Sequence, residues 1–292
     1  MRTVPEPDLS PALAAVAGWP VGTAAVGVTS PSATLAGTGP LDEPLPLASV
    51  SKLLTAMAVL VAVEEETVHL EDPAGPEGST VAHLLAHASG LGLDGARVTR
   101  PGRKRIYSNA GFELLGEVLA ARSGIPFETY ATEAVLQPLG MTRTRASGNP
   151  AWGAVGTAGD LLALSRELLA PRILSPAMLA RASTVAFPGL DGVVPGFGRQ
   201  TPNDWGLGFE LRDGKAPHWT GRRNSPRTFG HFGRSGTFLW VDPDAGLACA
   251  CVTNRDFGPW AIEAWPALSD EVLATFGEAK SHDCRGNTAH GV

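Results

Sequence analysis

The stretch Leu47-Ala48-Ser49-Val50-Ser51-Lys52-Leu53-Leu54-Thr55-Ala56-Met57-Ala58-Val59-Leu60-Val61-Ala62-Val63 decides how the chain is read. Glu64-Glu65-Glu66 ends its apolar run. The pattern predicts a helix from Ser49 to about Glu66, too short to span a bilayer. Residues three apart are neighbours on a helix surface, so Lys52 shares a face with Ser49. A serine hydroxyl is a poor nucleophile until an adjacent base takes its proton. A lysine can be that base only if burial or nearby positive charge lowers its pKa. The helix start also puts the Ser49 backbone N–H at the positive end of the dipole, suited to a developing oxyanion. Ser49 and Lys52 are therefore a candidate nucleophile pair. Taken alone, the same residues read more simply as an N-cap serine and a surface lysine. Ser51 is the rival hydroxyl. It lies about 200° round the helix from Ser49, so both cannot face one cleft with Lys52.

Size and composition bound the reading. The chain has 292 residues, 43% hydrophobic and 18% charged, enough for one large core or two packed parts. Its 35 glycines and 24 prolines suit a loop-rich enzyme and exclude a coiled coil or helical array. Net charge is −6. The one basic block, Arg97, Arg100, Arg103, Lys104 and Arg105, reads as a solvated loop, and the acidic whole argues against a nucleic-acid partner. Cys249 and Cys251 alternate like small buried strand residues. With Cys284 they make an odd number at no metal-binding spacing, so no disulfide framework and no metal is expected. Residues Met1 to Asp8 lack the basic region and apolar core of a secretory signal, so the expectation is a cytoplasmic protein with no membrane partner.

Outward from the Ser49 helix, the periodicity predicts a helix over 8–17, strands over 21–28 and 33–38 in a hairpin, and a helix from Thr80 to Leu85. A strongly amphipathic helix runs from Asn109 to Arg122, stopped by Gly124. Further helices are expected over 127–136, from a Thr157 cap to Leu169, and from Ser175-Pro176. Residues 186–203 read as irregular. The pattern then changes to short strands over 205–211, 228–231, 237–241 and 247–253, followed by a helix over 260–276 and a polar tail. The simplest closure is an α+β fold: an antiparallel sheet built from both chain ends, flanked by the terminal helices, with a mostly helical region inserted. The expected division is 1–55 with 200–276 as the sheet part, 56–199 as the helical part, and 277–292 as the tail.

Two more clusters carry chemistry. Tyr107-Ser108-Asn109 sits just before the 109–122 helix. A tyrosine there can share or relay a proton when nearby cations lower its pKa, and an asparagine can both donate and accept. Phe229-Gly230-His231-Phe232-Gly233-Arg234-Ser235-Gly236-Thr237 places glycines at 233 and 236 in a strand, where a ligand can approach the backbone closely. Each cluster alone also fits a core tyrosine beside an N-cap asparagine, or a bulged strand with a buried histidine.

Taken in order, the Ser-x-x-Lys helix, the Tyr-x-Asn loop and the His-x-Gly strand resemble the serine β-lactamase and penicillin-binding-protein superfamily. The likeness is to the branch of class C β-lactamases, D-alanyl-D-alanine carboxypeptidases and related esterases. The linking text agrees: His83-Leu84-Leu85-Ala86-His87-Ala88-Ser89-Gly90-Leu91, Pro138-Leu139-Gly140-Met141, Trp205-Gly206-Leu207-Gly208 and Leu239-Trp240-Val241-Asp242-Pro243. The resemblance covers roughly residues 10 to 275.

It implies a β-lactamase-like fold and a serine hydrolase without metal or organic cofactor. Ser49 would be acylated. Lys52 and Tyr107 would move its proton, in an order left open. Asn109 would orient Lys52 and a substrate carbonyl. The N–H groups of Ser49 and Arg234 would form the oxyanion hole. Phe232, Gly233 and Arg234 would border the substrate, and His231 stands where many relatives carry lysine. Phe232 fills a place often held by a hydroxyl residue that holds a substrate carboxylate, and neutral histidine carries less charge than lysine. Both differences point away from anionic β-lactam or D-Ala-D-Ala substrates and toward a small ester, amide, thioester or peptide-like molecule. β-Lactamase or carboxypeptidase action, acyl transfer or peptide cyclisation, and a non-catalytic ligand-binding role stay as alternatives. A Gly-x-Ser-x-Gly elbow of the α/β-hydrolase type is absent from the sequence.

Overall fold

A computed structural model describes residues 11–277. Of the helix expected over 8–17, the described part is α1 (Pro11–Ala14) and a 3-10 turn, Ala15–Gly18. Its first residues, the tail from 278 and Cys284 lie outside the described residues. Next come β1 (Ala24–Thr29), β2 (Thr34–Thr38) and a short β3 (Leu45–Pro46). Ser49 sits in a 3-10 turn, Ala48–Val50, rather than in the helix proper. Helix α2 spans Ser51–Glu64 and stops two residues early, where Glu66 turns to positive φ.

Helix α3 (Val81–Leu85) is capped by the Thr80 hydroxyl, which accepts from the His83 N–H. Helix α4 (Asn109–Ser123) is capped by Ser108, which accepts from the Gly111 N–H, and ends at Gly124 in the left-handed region. Ser108 as cap leaves the Asn109 side chain free for other work. The helix expected over 127–136 divides into α5 (Phe127–Ala131) and one π turn, Thr132–Leu136. Then follow β4 (Val155–Gly156), α6 (Ala158–Leu169) and α7 (Pro176–Ala182). Residues 186–203, expected to be irregular, hold a small hairpin of β5 (Gly192–Val194) and β6 (Gly198–Gln200).

Of the strand expected over 205–211 only β7 (Glu210–Leu211) forms. The backbone before it bonds the helical part instead: Leu207 N–H donates to Ala182 O and Gly208 N–H to Leu85 O. Strands β8 (Phe229–Gly233), β9 (Thr237–Asp242) and β10 (Leu247–Thr253) and helix α8 (Pro259–Gly277) complete the chain.

One antiparallel sheet runs in the order β2-β1-β10-β9-β8-β7, so the first and last strands of the chain pair at its centre. Residue alternation divides its two faces. Leu247, Cys249, Cys251, Phe238 and Trp240 pack under α1 and α8 with Trp265 and Val272. Ala248, Ala250, Val252, Leu239 and Val241 face the other way, onto Leu161 and Leu164 of α6 and the body around α2. Helix α6 thus belongs in space to the sheet, although it lies within 56–199. Helix α2 is buried on every side from Ser51 to Ala62, as its unbroken apolar sequence requires. Cys249 and Cys251 are free, buried thiols. Among the described residues no helix is long and apolar enough to cross a membrane.

Candidate active site

Three elements converge on Ser49. The 3-10 turn presents Ser49, half-buried, directly after Ala48, whose φ of 45° lies in the left-handed region. A non-glycine residue there stores backbone strain of about 1–2 kcal/mol. One turn on, Lys52 is wholly buried. Its Nζ donates to Asn109 Oδ1 at 2.7 Å and to the Ala151 carbonyl at 2.8 Å, and lies 3.4 Å from Ser49 Oγ. It also lies 4.7 Å from the Tyr107 ring centre. Burial lowers its pKa from 10.5 to about 7, against the opposing pull of Glu113. A neutral amine has two N–H groups and one lone pair. The two short bonds use both N–H groups, leaving the lone pair for the Ser49 hydroxyl.

Tyr107 stands beside the same hydroxyl. Burial raises its phenol pKa, while Ser49 acts in the opposite direction by hydrogen bonding. The raised value keeps the phenol protonated at neutral pH. Ser51 points elsewhere: its buried Oγ accepts from the Ala154 N–H at 3.0 Å.

Strand β8 forms the far wall. A Cβ at Gly233 would lie 2.6 Å from Leu47 O and 3.1 Å from Ser49 N, so the close approach there is made by the chain's own serine turn. Arg234 follows at the hairpin, its side chain exposed and 3.5 Å from Asp256. The Phe232 ring is half-buried against Phe197, Trp219, Phe257 and Trp265. His231 is buried. Burial first, then Lys52, holds its pKa down to about 3, so it is neutral. Its Nδ1 lies 2.7 Å from Phe232 O, a pure acceptor, so Nδ1 carries the proton and Nε2 is left as an acceptor. Ser49, Tyr107, Asn109, His231, Phe232 and Arg234 all border one cavity of about 360 Å³, with Lys52 behind its wall.

Several residues of the site were not anticipated. His87 packs on Tyr107 and Trp205, and Trp205 packs on His231. The Ala151 carbonyl is held by a relay: Glu113 accepts from Asn149 Nδ2 at 2.6 Å, and Asn149 Oδ1 accepts from the Ala151 N–H at 2.8 Å. Glu210 borders the cavity and is buried with Lys215, His218 and Trp219. Burial would raise its pKa, but His218 and Lys215 outweigh that and hold it at about 2. Arg105, expected in a solvated loop, is buried. Its guanidinium donates to the carbonyls of Ala86, Ala186, Phe187 and Asn203. Among the described residues no group of acidic, histidine and cysteine side chains is arranged to hold a metal ion.

Comparison with known proteins agrees with this architecture. The family model "Beta-lactamase" matches residues 12–273. A crystal structure described as a β-lactamase from Mycobacterium bovis is 54% identical, with a TM-score of 0.90 over 91% of this chain and 99% of that one. The octameric penicillin-binding protein homologue from Pyrococcus abyssi shares the fold at 20% identity, with a TM-score of 0.70 over 90% of this chain and 76% of that one. An Escherichia coli O157:H7 protein carrying the provisional name D-alanyl-D-alanine carboxypeptidase is 24% identical over 65% of this chain. The match takes in 55% of that protein, so the chain spans about half the length of the curated relatives it matches.

Proposed function

The chain belongs to the β-lactamase family, and from that premise we propose that it is a serine hydrolase acting on a small ester, amide or thioester, uncharged where it faces β8, through an acyl-enzyme on Ser49. One observation carries this reading: a buried lysine with both amine hydrogens engaged and its pKa near 7, facing a serine hydroxyl at 3.4 Å.

Lys52 takes the Ser49 proton as Oγ attacks the carbonyl carbon. The backbone N–H groups of Ser49 and Arg234 receive the negative charge that develops on the carbonyl oxygen. Tyr107, protonated at neutral pH, is suited to hand a proton to the leaving atom as its bond to carbon breaks, and it recovers one from Lys52. Water then attacks the acyl carbon, Lys52 takes its proton, and as the bond from Ser49 Oγ to carbon breaks Lys52 returns that proton to Oγ and the acid leaves. Lys52 is the favoured first base because burial lowers its pKa while burial raises that of Tyr107.

The neutral His231 and the hydroxyl-free Phe232 give a substrate carboxylate no partner on β8, which favours uncharged groups there. A β-lactam or D-Ala-D-Ala substrate is the second reading. It is supported by the description of the M. bovis structure as a β-lactamase and by the Arg234 guanidinium at the cavity mouth.

A chromogenic panel with intact-mass readout separates the readings. Neutral nitrophenyl esters should be turned over with a transient adduct on Ser49. Faster turnover of nitrocefin than of any ester would favour the second reading. Absence of any adduct on Ser49 would leave only a binding role, and a new product on adding an alcohol or amine would show acyl transfer.

A further inference from the structure

Beyond Tyr107 the Ser49 cavity opens into a second hollow of about 540 Å³, and the two share Leu93, Tyr107 and Pro195. Its walls are the β5–β6 hairpin and the loop of residues 93–106. Six large hydrophobic side chains are exposed among the described residues. Three of them border this hollow: Leu93 at 56%, Val98 at 62% and Val193 at 58%. Exposed apolar residues are ordinary when scattered, but clustering in a groove marks a binding surface.

The groove also has a charged end. Lys104 borders it, and Val98 continues into a shallow depression lined by Arg97, Arg100 and Arg103. All four cations are exposed, and none forms a salt bridge among the described residues. The neighbouring acids do not balance them. Asp191 is engaged with Arg199 at 2.5 Å, and the single charge of Asp94, which also accepts from the Ala96 N–H, leaves the four cations in excess. In a chain of net charge −6, this is a local cationic patch at the outer end of an apolar channel.

We propose that this groove binds an extended apolar arm of the substrate that ends in an anionic group. The reacting carbonyl then lies at Ser49, the arm passes Tyr107 along Leu93, Val98 and Val193, and its charged end meets Arg97, Arg100, Arg103 and Lys104. Calling the arm part of a substrate rests on the hydrolase reading. The preference for an anionic amphiphile does not.

The test is calorimetric titration of the Ser49→Ala protein with monomeric decyl phosphate, pentyl phosphate and decyltrimethylammonium at low salt. Decyl phosphate should bind at least tenfold more tightly than pentyl phosphate, because each methylene removed from water contributes about fourfold, and at least tenfold more tightly than decyltrimethylammonium, because its head group meets the cations of Arg97, Arg100, Arg103 and Lys104. Arg100→Glu/Arg103→Glu should abolish the preference for phosphate over ammonium. Val98→Asn/Val193→Asn should abolish the preference for decyl over pentyl. Both double variants should keep the parental circular dichroism, which separates a lost contact from a lost fold. Equal binding of all three ligands overturns the groove proposal. So does binding to phosphatidylglycerol vesicles without binding of monomeric decyl phosphate, which would make the patch a membrane contact. Failure to hydrolyse any ester overturns the hydrolase reading alone, since the titration still reports on the groove.

Discussion

The Lys52 nitrogen lies 3.4 Å from the Ser49 oxygen, farther than from either of its other two partners at 2.7 and 2.8 Å. In the proposed mechanism the long contact is the reactive one, because the short ones hold the amine in place. With the Lys52 pKa lowered to about 7, the amine is charged below that pH and neutral above it. Turnover of a neutral ester should therefore rise with pH through a limb near 7 and then level off. Glu113 is the charge that pulls the Lys52 pKa up, and Glu113→Gln keeps an acceptor for Asn149, so the variant's limb should move to lower pH. His231, held at about 3, should add no limb between pH 5 and 9. A flat kcat/KM profile from pH 5 to 9 would remove Lys52 as the base.

The two serines of the motif separate cleanly. Ser49→Ala should abolish both the adduct and turnover. Ser51→Ala should keep the adduct on residue 49 yet lose about 1–3 kcal/mol of stability, because the buried Ala154 N–H loses its acceptor. Peptide mapping of the labelled protein and urea unfolding of the two variants give the two readouts. A label on Ser51 would reverse the assignment.

Arg105 should be far more costly to replace than its neighbours. Arg105→Met strands four carbonyls, those of Ala86 and Asn203 in buried contacts, and should destabilise by at least about 3 kcal/mol, since each buried acceptor left unsatisfied costs about 1–3 kcal/mol. Arg103→Met, on an exposed side chain, should change stability by less than about 0.5 kcal/mol. Comparable unfolding midpoints for the two variants would show that the buried contacts do not matter.

That contrast explains what was legible in the sequence. Ser49 and Lys52 stand three apart at the head of an uninterrupted apolar helix, so a local rule finds them. Tyr107, Asn109 and His231 carry no decisive local signal. The order of three motifs along the chain singled them out as candidates. Arg105 looks like the last member of a basic run, because its four acceptors come from residues 86, 186, 187 and 203, far away in sequence. The Ala151 carbonyl is a backbone atom and has no side-chain signature at all. Strands β5 and β6 are three residues long and border glycines, too brief for alternation to register. Residues 205–208 read as a strand because their aromatic and apolar context is the same whether the backbone bonds a sheet or, as at Leu207, a helix end.

Glu210 offers a test of the buried polar wall. Its carboxylate is shared by Lys215, His218 and Trp219, all buried. Its folded pKa is depressed to about 2, so its contribution to stability is present above the ordinary carboxylate value of 4.5 and is lost as pH falls toward 2. Glu210→Gln leaves Lys215 as an uncompensated buried cation and should cost about 3–5 kcal/mol at pH 7. The double variant Glu210→Gln/Lys215→Met should recover part of that loss. A double variant no more stable than the single one in urea would argue against charge as the cause.

Gly233 ties the fold to the chemistry. A methyl group there would press on Leu47 O at 2.6 Å and on Ser49 N at 3.1 Å, both backbone atoms of the serine turn. Neither can swing aside as a side chain would, so β8 and the turn must separate. The Ser49 and Arg234 N–H groups of the proposed oxyanion hole are carried on those two segments, so the change should move one away from the other. Losing a single oxyanion donor costs about 10²–10³ in kcat. Gly233→Ala should therefore lower kcat for ester hydrolysis by at least about 10²-fold, with KM little changed, while the circular dichroism of the sheet is retained. A variant with parental kcat would mean that the spacing between β8 and the serine turn is not what stabilises the developing charge.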